Sequence, residues 1–319
     1  MRVKMLRRKV YLMIKILFIR NEHAFLPEID AYVSYFNRTD RFKAYDSSKL
    51  QNYQVDDFDV IWEFKGFRGI KPNKHQLLIH EYASLSTGKF PQIKNLIKAK
   101  LNIRPNIRVF LNENVKQGFN FNDHVDYCYR DMGIAPEFIE PQSNVKEYDF
   151  LYVGAIVKER EIDRLLEVFT AKENGKLYLV GNVDEEIYER FKNEKNLIFA
   201  GKVPYTKIPE IMSKAEYGIN FIPDKYPFNV QTSTKMLEYL AAGLKVITTD
   251  YKWIQQFEQQ HGCLFYKLDY QNLTFDQADI EQFEFADNFK ASDYMWDKVI
   301  KASGIEEMIL TNYQAIVSK

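Results

Sequence analysis

The chain has 319 residues, enough for about two domains at roughly 100–200 residues each. Its 46% hydrophobic and 28% charged residues exclude a disordered or fibrous chain, and 44 Lys+Arg against 44 Asp+Glu argue against a dedicated nucleic-acid binder. Two cysteines, Cys128 and Cys263, are too few for a disulfide framework or a Cys-rich zinc site and fit a reducing, cytoplasmic setting.

Residues 1–15 carry Arg2, Lys4, Arg7, Arg8, Lys9 and Lys15 with no acid, so they hold +6 and the remainder −6. They read as a basic leader over 1–12, with Met13 as an alternative start. Equally, they read as an electrostatic tether to anionic lipid, at about 1 kcal/mol per basic residue. Lys15 interrupts the apolar run and Asn21-Glu22-His23 follows it, which does not make a signal peptide. No stretch approaches the roughly 20 apolar residues of a membrane span.

Ile14-Lys15-Ile16-Leu17-Phe18-Ile19 predicts a buried strand, followed by a helix from Pro27 with Ile29, Tyr32, Val33 and Phe36 on one face. Strands are predicted over 58–62, 76–80 and 107–111. A helix over 91–101 puts Ile93, Leu96, Ile97 and Leu101 on one side. The chain turns polar over 141–148, and a second alternation begins. Its strands fit 150–153, 176–180, 197–200, 217–222 and 245–248, and its helices 161–170, 184–192, 206–214 and 234–242. Helices over 292–302 and 305–316 close the sequence. Strands alternating with helices imply βαβ units and parallel sheets. The expected division is a first α/β domain over 13–146, a second over 147–290, and helices over 291–319 that pack back across the first.

Three features of the second half can hold a nucleotide diphosphate. Tyr152-Val153-Gly154-Ala155 ends a strand with glycine, and Lys158 and Arg160 precede a helix. Such a glycine lets backbone amides approach a phosphate, and the helix start adds partial positive charge. Leu179-Val180-Gly181-Asn182 ends another strand in the same way, at the edge where open parallel sheets bind ligands. The third feature is the run from Thr232 to Gly243. Thr232, Ser233 or Thr234 can cap its helix and Gly243 can end it. Lys235 and Glu238, three apart, share a face there. The helix-start amides and Lys235 can meet phosphate oxygens, while Glu238 can accept from two ribose hydroxyls; the other reading is a surface Lys–Glu pair.

Over about 149–255 the sequence resembles the family 4 glycosyltransferases, of the group 1 type. Four blocks carry the resemblance: Tyr152-Val153-Gly154 with Arg160-Glu161-Ile162-Asp163; Leu179-Val180-Gly181; Phe199-Ala200-Gly201-Lys202-Val203-Pro204-Tyr205; and Lys235-Met236-Leu237-Glu238-Tyr239-Leu240-Ala241-Ala242-Gly243. It implies the GT-B fold, α/β, with two Rossmann-like domains whose parallel sheets face an interdomain cleft. It also implies that Glu238 binds the donor ribose, that Arg160 contacts the diphosphate, and that the loop from Gly201 to Val203 lines the base. Two positions depart. Ala155 stands where the family often has arginine. Val230 stands where a second glutamate contacts the donor sugar; Asp224, Tyr226, Asn229 or Gln231 can substitute.

The first half resembles the family only in organisation, and Arg20-Asn21-Glu22-His23 replaces a glycine pair after its first strand. His80-Glu81 follows an apolar run, where the histidine can handle a proton with Glu81 as partner. The resemblance implies a histidine there that helps to hold the donor sugar. Lys89, Lys94, Lys98, Lys100, Arg104 and Arg108 surround the 91–101 helix and resemble the basic surface by which such enzymes sit on anionic membrane; the other reading is an ordinary amphipathic surface helix of a soluble domain. Asp57-Phe58-Asp59 matches a metal-binding pair of the other glycosyltransferase fold but flanks the start of a strand. No Gly-x-Gly-x-x-Gly follows 14–19, which excludes a dinucleotide fingerprint.

The expectation is a retaining hexosyltransferase that needs neither cofactor nor metal. It would move sugar from UDP-hexose, or GDP-mannose second, to a saccharide or lipid-linked acceptor in cell-surface glycan synthesis. Arg160, Lys235 and helix-start amides would neutralise the leaving diphosphate. The donor-binding set is Gly154, Lys158, Gly181, Asn182, Gly201, Val203, Ser233, Thr234 and Glu238. The catalytic set is His80, Glu81, Arg160 and Lys235. A degenerate binding partner of an active transferase and a nucleotide-sugar epimerase are the alternatives.

Overall fold

The computed structural model describes residues 13–20, 26–67, 69–139 and 145–318. The 1–12 leader, Asn21, Glu22 and His23 of the first loop, and 141–144 of the polar turn lie outside them. Among the described residues the chain divides into two compact units. One is drawn from 13–83, 95–130 and 300–318, the other from 84–94 and 131–299.

The first unit holds strands β1 (Ile14–Ile19), β2 (Phe42–Asp46), β3 (Val60–Phe64), β4 (Leu77–Tyr82), β5 (Ile107–Phe110) and β6 (Asp126–Tyr129). All are parallel, in the order β2-β1-β3-β4-β5-β6. The central strands form from continuous apolar runs because both faces of a parallel sheet are covered. The helix Pro27–Phe36 lays Tyr32 and Phe36 on Phe18 and Trp62, with Tyr32 and Trp62 ring centroids 4.5 Å apart. The helix Ile305–Val317 belongs to this unit. Its Tyr313 hydroxyl donates to Asp59, whose other oxygen accepts the Lys15 N–H at 2.8 Å. Asp59 of the Asp-x-Asp pair is thus a strut between β1, β3 and this helix.

Arg130 is fully buried beneath this aromatic layer. It bonds Glu81, lies 3.7 Å from Glu28, and donates from Nε to the Tyr32 hydroxyl at 3.1 Å. The Trp62 indole N–H donates to the second Glu81 oxygen at 2.8 Å.

The helix Pro91–Leu101 matches its predicted bounds but presents its apolar side to solvent. Ile93, Leu96, Ile97 and Leu101 are 55, 50, 43 and 64% exposed, whereas Asn95 is fully buried. Among the described residues no helix is long and apolar enough to cross a membrane.

The second unit repeats the plan with β7 (Tyr148–Val153), β8 (Leu177–Val180), β9 (Leu197–Gly201), β10 (Ala215–Asn220), β11 (Lys245–Thr249) and β12 (Tyr266–Leu268), parallel in the order β12-β11-β10-β7-β8-β9. Phe150, Phe169, Tyr217 and Phe275 pack on one another at its centre. Successive connections run one way from β7 through β8 to β9, and the other way from β10 to β12. The order therefore reverses between β7 and β10, which places the ligand crevice of such a sheet at their carboxyl ends.

Removing one partner of a buried ion pair strands the other charge. We expect Arg130→Met to lower unfolding free energy by about 3–5 kcal/mol in urea denaturation, and Glu81→Leu in the same chain to recover part of the loss.

Candidate functional site

Three neighbouring strand ends carry glycine. Gly154 follows β7, Gly181 follows β8 and Gly201 ends β9. The Gly154 N–H donates to the Val180 carbonyl at 2.8 Å, and the Gly181 N–H to the Gly201 carbonyl at 2.9 Å. Gly181, at φ +145°, admits no side chain: a Cβ there would lie 1.9 Å from the Gly154 carbonyl oxygen. Gly154 shares this φ, and a Cβ on it would lie 3.6 Å from Lys235 Nζ. The strand ends thus form a low rim next to the helix Thr234–Ala241.

That helix is anchored to the sheet at several points. Gly218 on β10 lets the Tyr239 ring lie against it, since a Cβ there would meet the ring at 2.5 Å. The Tyr239 hydroxyl accepts the Val153 N–H at 2.8 Å. At the helix start the Ser233 hydroxyl donates to Asn220 Oδ1 at 2.7 Å, and Asn220 Nδ2 donates to Thr248 and Tyr251, both at 3.0 Å. Ser233 occupies the N-cap position but does not cap; Asn220 has captured its hydroxyl. Thr232 donates to Asp131 at 2.6 Å, and Thr234 is the first helical residue. Among the described residues no side chain caps the first turn, where the Met236 and Leu237 N–H groups donate to the Ser233 carbonyl at 3.2 and 3.3 Å.

Lys235 and Glu238 share a face as expected but form no surface pair. Lys235 Nζ is buried without a hydrogen-bonding partner among the described residues, 4.1 Å from the centre of the Tyr152 ring. Burial, and then the nearby Arg160 charge, pull its pKa well below the usual lysine value. Glu238 is 4% exposed and accepts the Tyr205 hydroxyl at 2.5 Å. Burial pushes its carboxyl up to about 7, against that one hydrogen bond. The guanidinium of Arg160 lies 5.7 Å from the centre of the Phe228 ring and forms no ion pair among the described residues. Next to it, Glu161 gathers Lys225 at 2.8 Å, Arg164 at 2.8 Å and the Tyr270 hydroxyl. Burial alone would raise its pKa, but these partners hold it at about 2.

Not every expected residue joins the corner. Lys158 turns to Glu186 on another helix, at 2.5 Å, because its turn is exposed. Asn182 contributes its carbonyl, which accepts the Ile156 N–H at 2.8 Å. Val203 is half-buried just beyond Gly201.

His80 and Glu81 belong to the first unit, and they do not act as a pair. Consecutive strand residues face opposite sides of a sheet. Glu81 is committed to Arg130 and Trp62, and His80 lies beside Glu63 instead, Nε2 to Oε2 at 3.3 Å. The expected partnership is therefore corrected: Glu63, aligned with His80 across β3 and β4, is the neighbouring carboxylate. Burial lowers the His80 pKa, with the Glu63 contact opposing it. Missed from the sequence were Tyr152, Tyr205, Asn220 and Tyr239. Tyr152, Tyr205 and Tyr239 lie inside the quoted motifs, so an aromatic within each block was the available signal.

Residues 135–273 match the family model for glycosyl transferases group 1. No curated protein sequence matches the chain. Among solved structures it is similar to AviGT4, a glycosyltransferase involved in avilamycin A biosynthesis, at TM-score 0.60 and 12% identity over 96% of this chain and 98% of that one. It is similar to WaaG, a glycosyltransferase involved in lipopolysaccharide biosynthesis, at TM-score 0.54 and 12% identity over 95% of each chain. It is also similar to Anabaena HepE in complex with UDP and glucose, at TM-score 0.58 and 12% identity over 96% and 98%. Residues 135–273 thus form a glycosyl transferases group 1 domain, in a chain whose fold is that of the GT-B glycosyltransferases.

Proposed function

We propose that the chain transfers a hexosyl unit from a nucleotide sugar to a saccharide or lipid-linked acceptor in cell-surface glycan synthesis, with retention of anomeric configuration and without a metal ion. The supporting observation is the buried Lys235 Nζ, without a hydrogen-bonding partner among the described residues, at the start of a helix beside glycine-ended strands at the switch point of a parallel sheet. A diphosphate would satisfy Lys235 Nζ, the helix-start amides and Arg160 together. As the glycosidic bond loosens, the same fixed charges would stabilise the leaving group. Glu238 would take two ribose hydroxyls, which donate to its ionised form. With no nucleophile assigned at this corner, departure and attack on one face of the sugar is the reading, with no covalent intermediate proposed. The complex of HepE with UDP and glucose favours uridine as the first nucleotide to try.

The membrane-facing part of this reading rests on the Pro91–Leu101 helix. Its exposed apolar residues are flanked by Lys89, Lys98, Lys100 and Arg104, and no acid occurs between Glu81 and Glu113. An apolar stripe bordered by cations suits an anionic bilayer. In vesicle sedimentation, wild type should bind phosphatidylglycerol-containing vesicles more than phosphatidylcholine ones, and Leu96→Glu with Leu101→Glu should abolish the difference; equal binding to both removes this part.

UDP should raise the melting temperature most among UDP, GDP, ADP and CDP, and Glu238→Ala should remove most of that shift. Equal shifts in both proteins would refute the assigned role. Because the hydroxyls favour the carboxylate, nucleotide affinity should rise about tenfold between pH 6 and 8, a limb absent in Glu238→Gln and measurable by calorimetry. Folded-state stability should show the opposite sign. The folded protein holds a proton on Glu238 that the unfolded chain has lost, so stability falls from about pH 4.5 to 7. Glu238→Gln should therefore be more stable by on the order of 3 kcal/mol at pH 8, with the advantage gone at pH 4.

A further inference from the structure

Arg160 ends the short turn Lys158–Arg160, through which the chain passes from β7 to the helix Ile162–Thr170. Its charge is felt at the corner already described. Burial first, and then Arg160, pulls the Lys235 pKa down, and burial pushes Tyr152 up to about 12 against the same Arg160 charge. Its guanidinium lies beside the Phe228 ring and forms no ion pair among the described residues. Glu161 follows it directly, yet that carboxylate is engaged elsewhere.

Glu161 stands in the left-handed region, at φ 55° and ψ 33°, where glycine is the usual occupant. Its carboxylate is held from three places. Oε1 accepts from Lys225 Nζ, in the segment after β10, at 2.8 Å. Oε2 accepts from Arg164 Nη1, one turn into the helix, at 2.8 Å, and from the Tyr270 hydroxyl in the loop after β12. Arg164 closes the knot by donating from Nη2 to the Tyr270 carbonyl at 3.0 Å. The backbone is fixed as well: the Arg160 N–H donates to the Val157 carbonyl at 3.1 Å and the Glu161 N–H to the Lys158 carbonyl at 3.0 Å.

Two consequences meet at Arg160. A carboxylate filled by two cations and a hydroxyl does not turn back to neutralise the guanidinium next to it. The Lys225 tie also anchors the segment that carries Phe228, the ring beside that guanidinium. A long arginine that is free in solution loses rotamer entropy when it grips a ligand, and a turn and a wall fixed beforehand reduce that loss.

We propose that Glu161 is a positioning residue for the donor diphosphate: by tying Lys225, Arg164 and Tyr270 together it keeps Arg160 unpaired and aimed at the phosphates. This rests on the donor-site reading above. Charge alone has the opposite sign, since removing an acid near the phosphates should tighten them. Weaker binding after its removal is therefore specific to positioning.

The test is calorimetric binding of UDP and GDP to wild type, Glu161→Gly, Arg160→Ala and the double variant, with the free nucleoside read by competition. Glycine tolerates the left-handed turn, so a loss in Glu161→Gly does not come from backbone strain. For the base that binds, each single variant should weaken the diphosphate about tenfold and leave the nucleoside within about twofold, which also shows that the variant is folded. The double variant should match Arg160→Ala rather than fall by about a hundredfold. If Glu161→Gly does not fold, Glu161→Gln takes its place, with the same pattern and a smaller loss because its amide carbonyl still accepts. Unchanged or tighter diphosphate binding in either single variant, or a double variant weakened by the product of the two, overturns the positioning role and leaves the donor site standing. Equal weakening of nucleoside and diphosphate overturns it too, since the residue then acts through the fold. Failure of both diphosphates to bind wild type overturns the donor site and this proposal together.

Discussion

The second unit is arranged around two ionisable groups that leave water on one short helix without neutralising each other. Among the described residues Lys235 Nζ has no hydrogen-bonding partner and Glu238 has a single neutral donor, although one helical turn separates them. Each alone is unfavourable for folding. What holds them is the surrounding hydrogen-bonded frame: Tyr239 fastened to Val153, Ser233 to Asn220, and Tyr205 to Glu238. The helix is thereby fixed before any ligand arrives, and its charges are aimed rather than averaged over rotamers.

Topology explains why the charges are there. A sheet that reverses its order between β7 and β10 leaves a crevice at those strand ends, and the β7 end is where the glycine rim begins. The Gly218–Tyr239 contact sets how closely the helix can approach, and the loop after β10 supplies the segment that enters it. Removing a methyl-sized obstacle at Gly154 or Gly181 is as much a part of the site as any charged group.

Much of this was legible in the sequence because buried parallel strands are continuous apolar runs. Ile14–Ile19 was read to the residue, as was the Pro91–Leu101 helix. Three of the four edge strands were not, because Phe42–Asp46, Asp126–Tyr129 and Tyr266–Leu268 are short and carry Lys43, Asp126 and Lys267. Periodicity located the apolar face of the Pro91–Leu101 helix but not its direction; Asn95, the one side chain it buries, carries no period. In the same way the adjacency of His80 and Glu81 invited a partnership that strand geometry forbids. The residue that claims Glu81 is Arg130, forty-nine positions away, and nothing local marks it. At the corner beside the β7, β8 and β9 ends the glycines, Lys235 and Glu238 announced themselves by spacing. Tyr205 and Asn220 act through three-dimensional contacts that no spacing encodes.

The tie between Tyr313 and Asp59 bears on how the chain is made. Asp59 also receives the Lys15 amide, so one carboxylate joins β1 and β3 to a helix at 305–317. Ribosomal synthesis usually lets amino-terminal units mature first. Here the whole of 131–299 emerges before the helix that closes the first unit. The nascent first sheet must therefore wait with that flank open until the second unit has been synthesised.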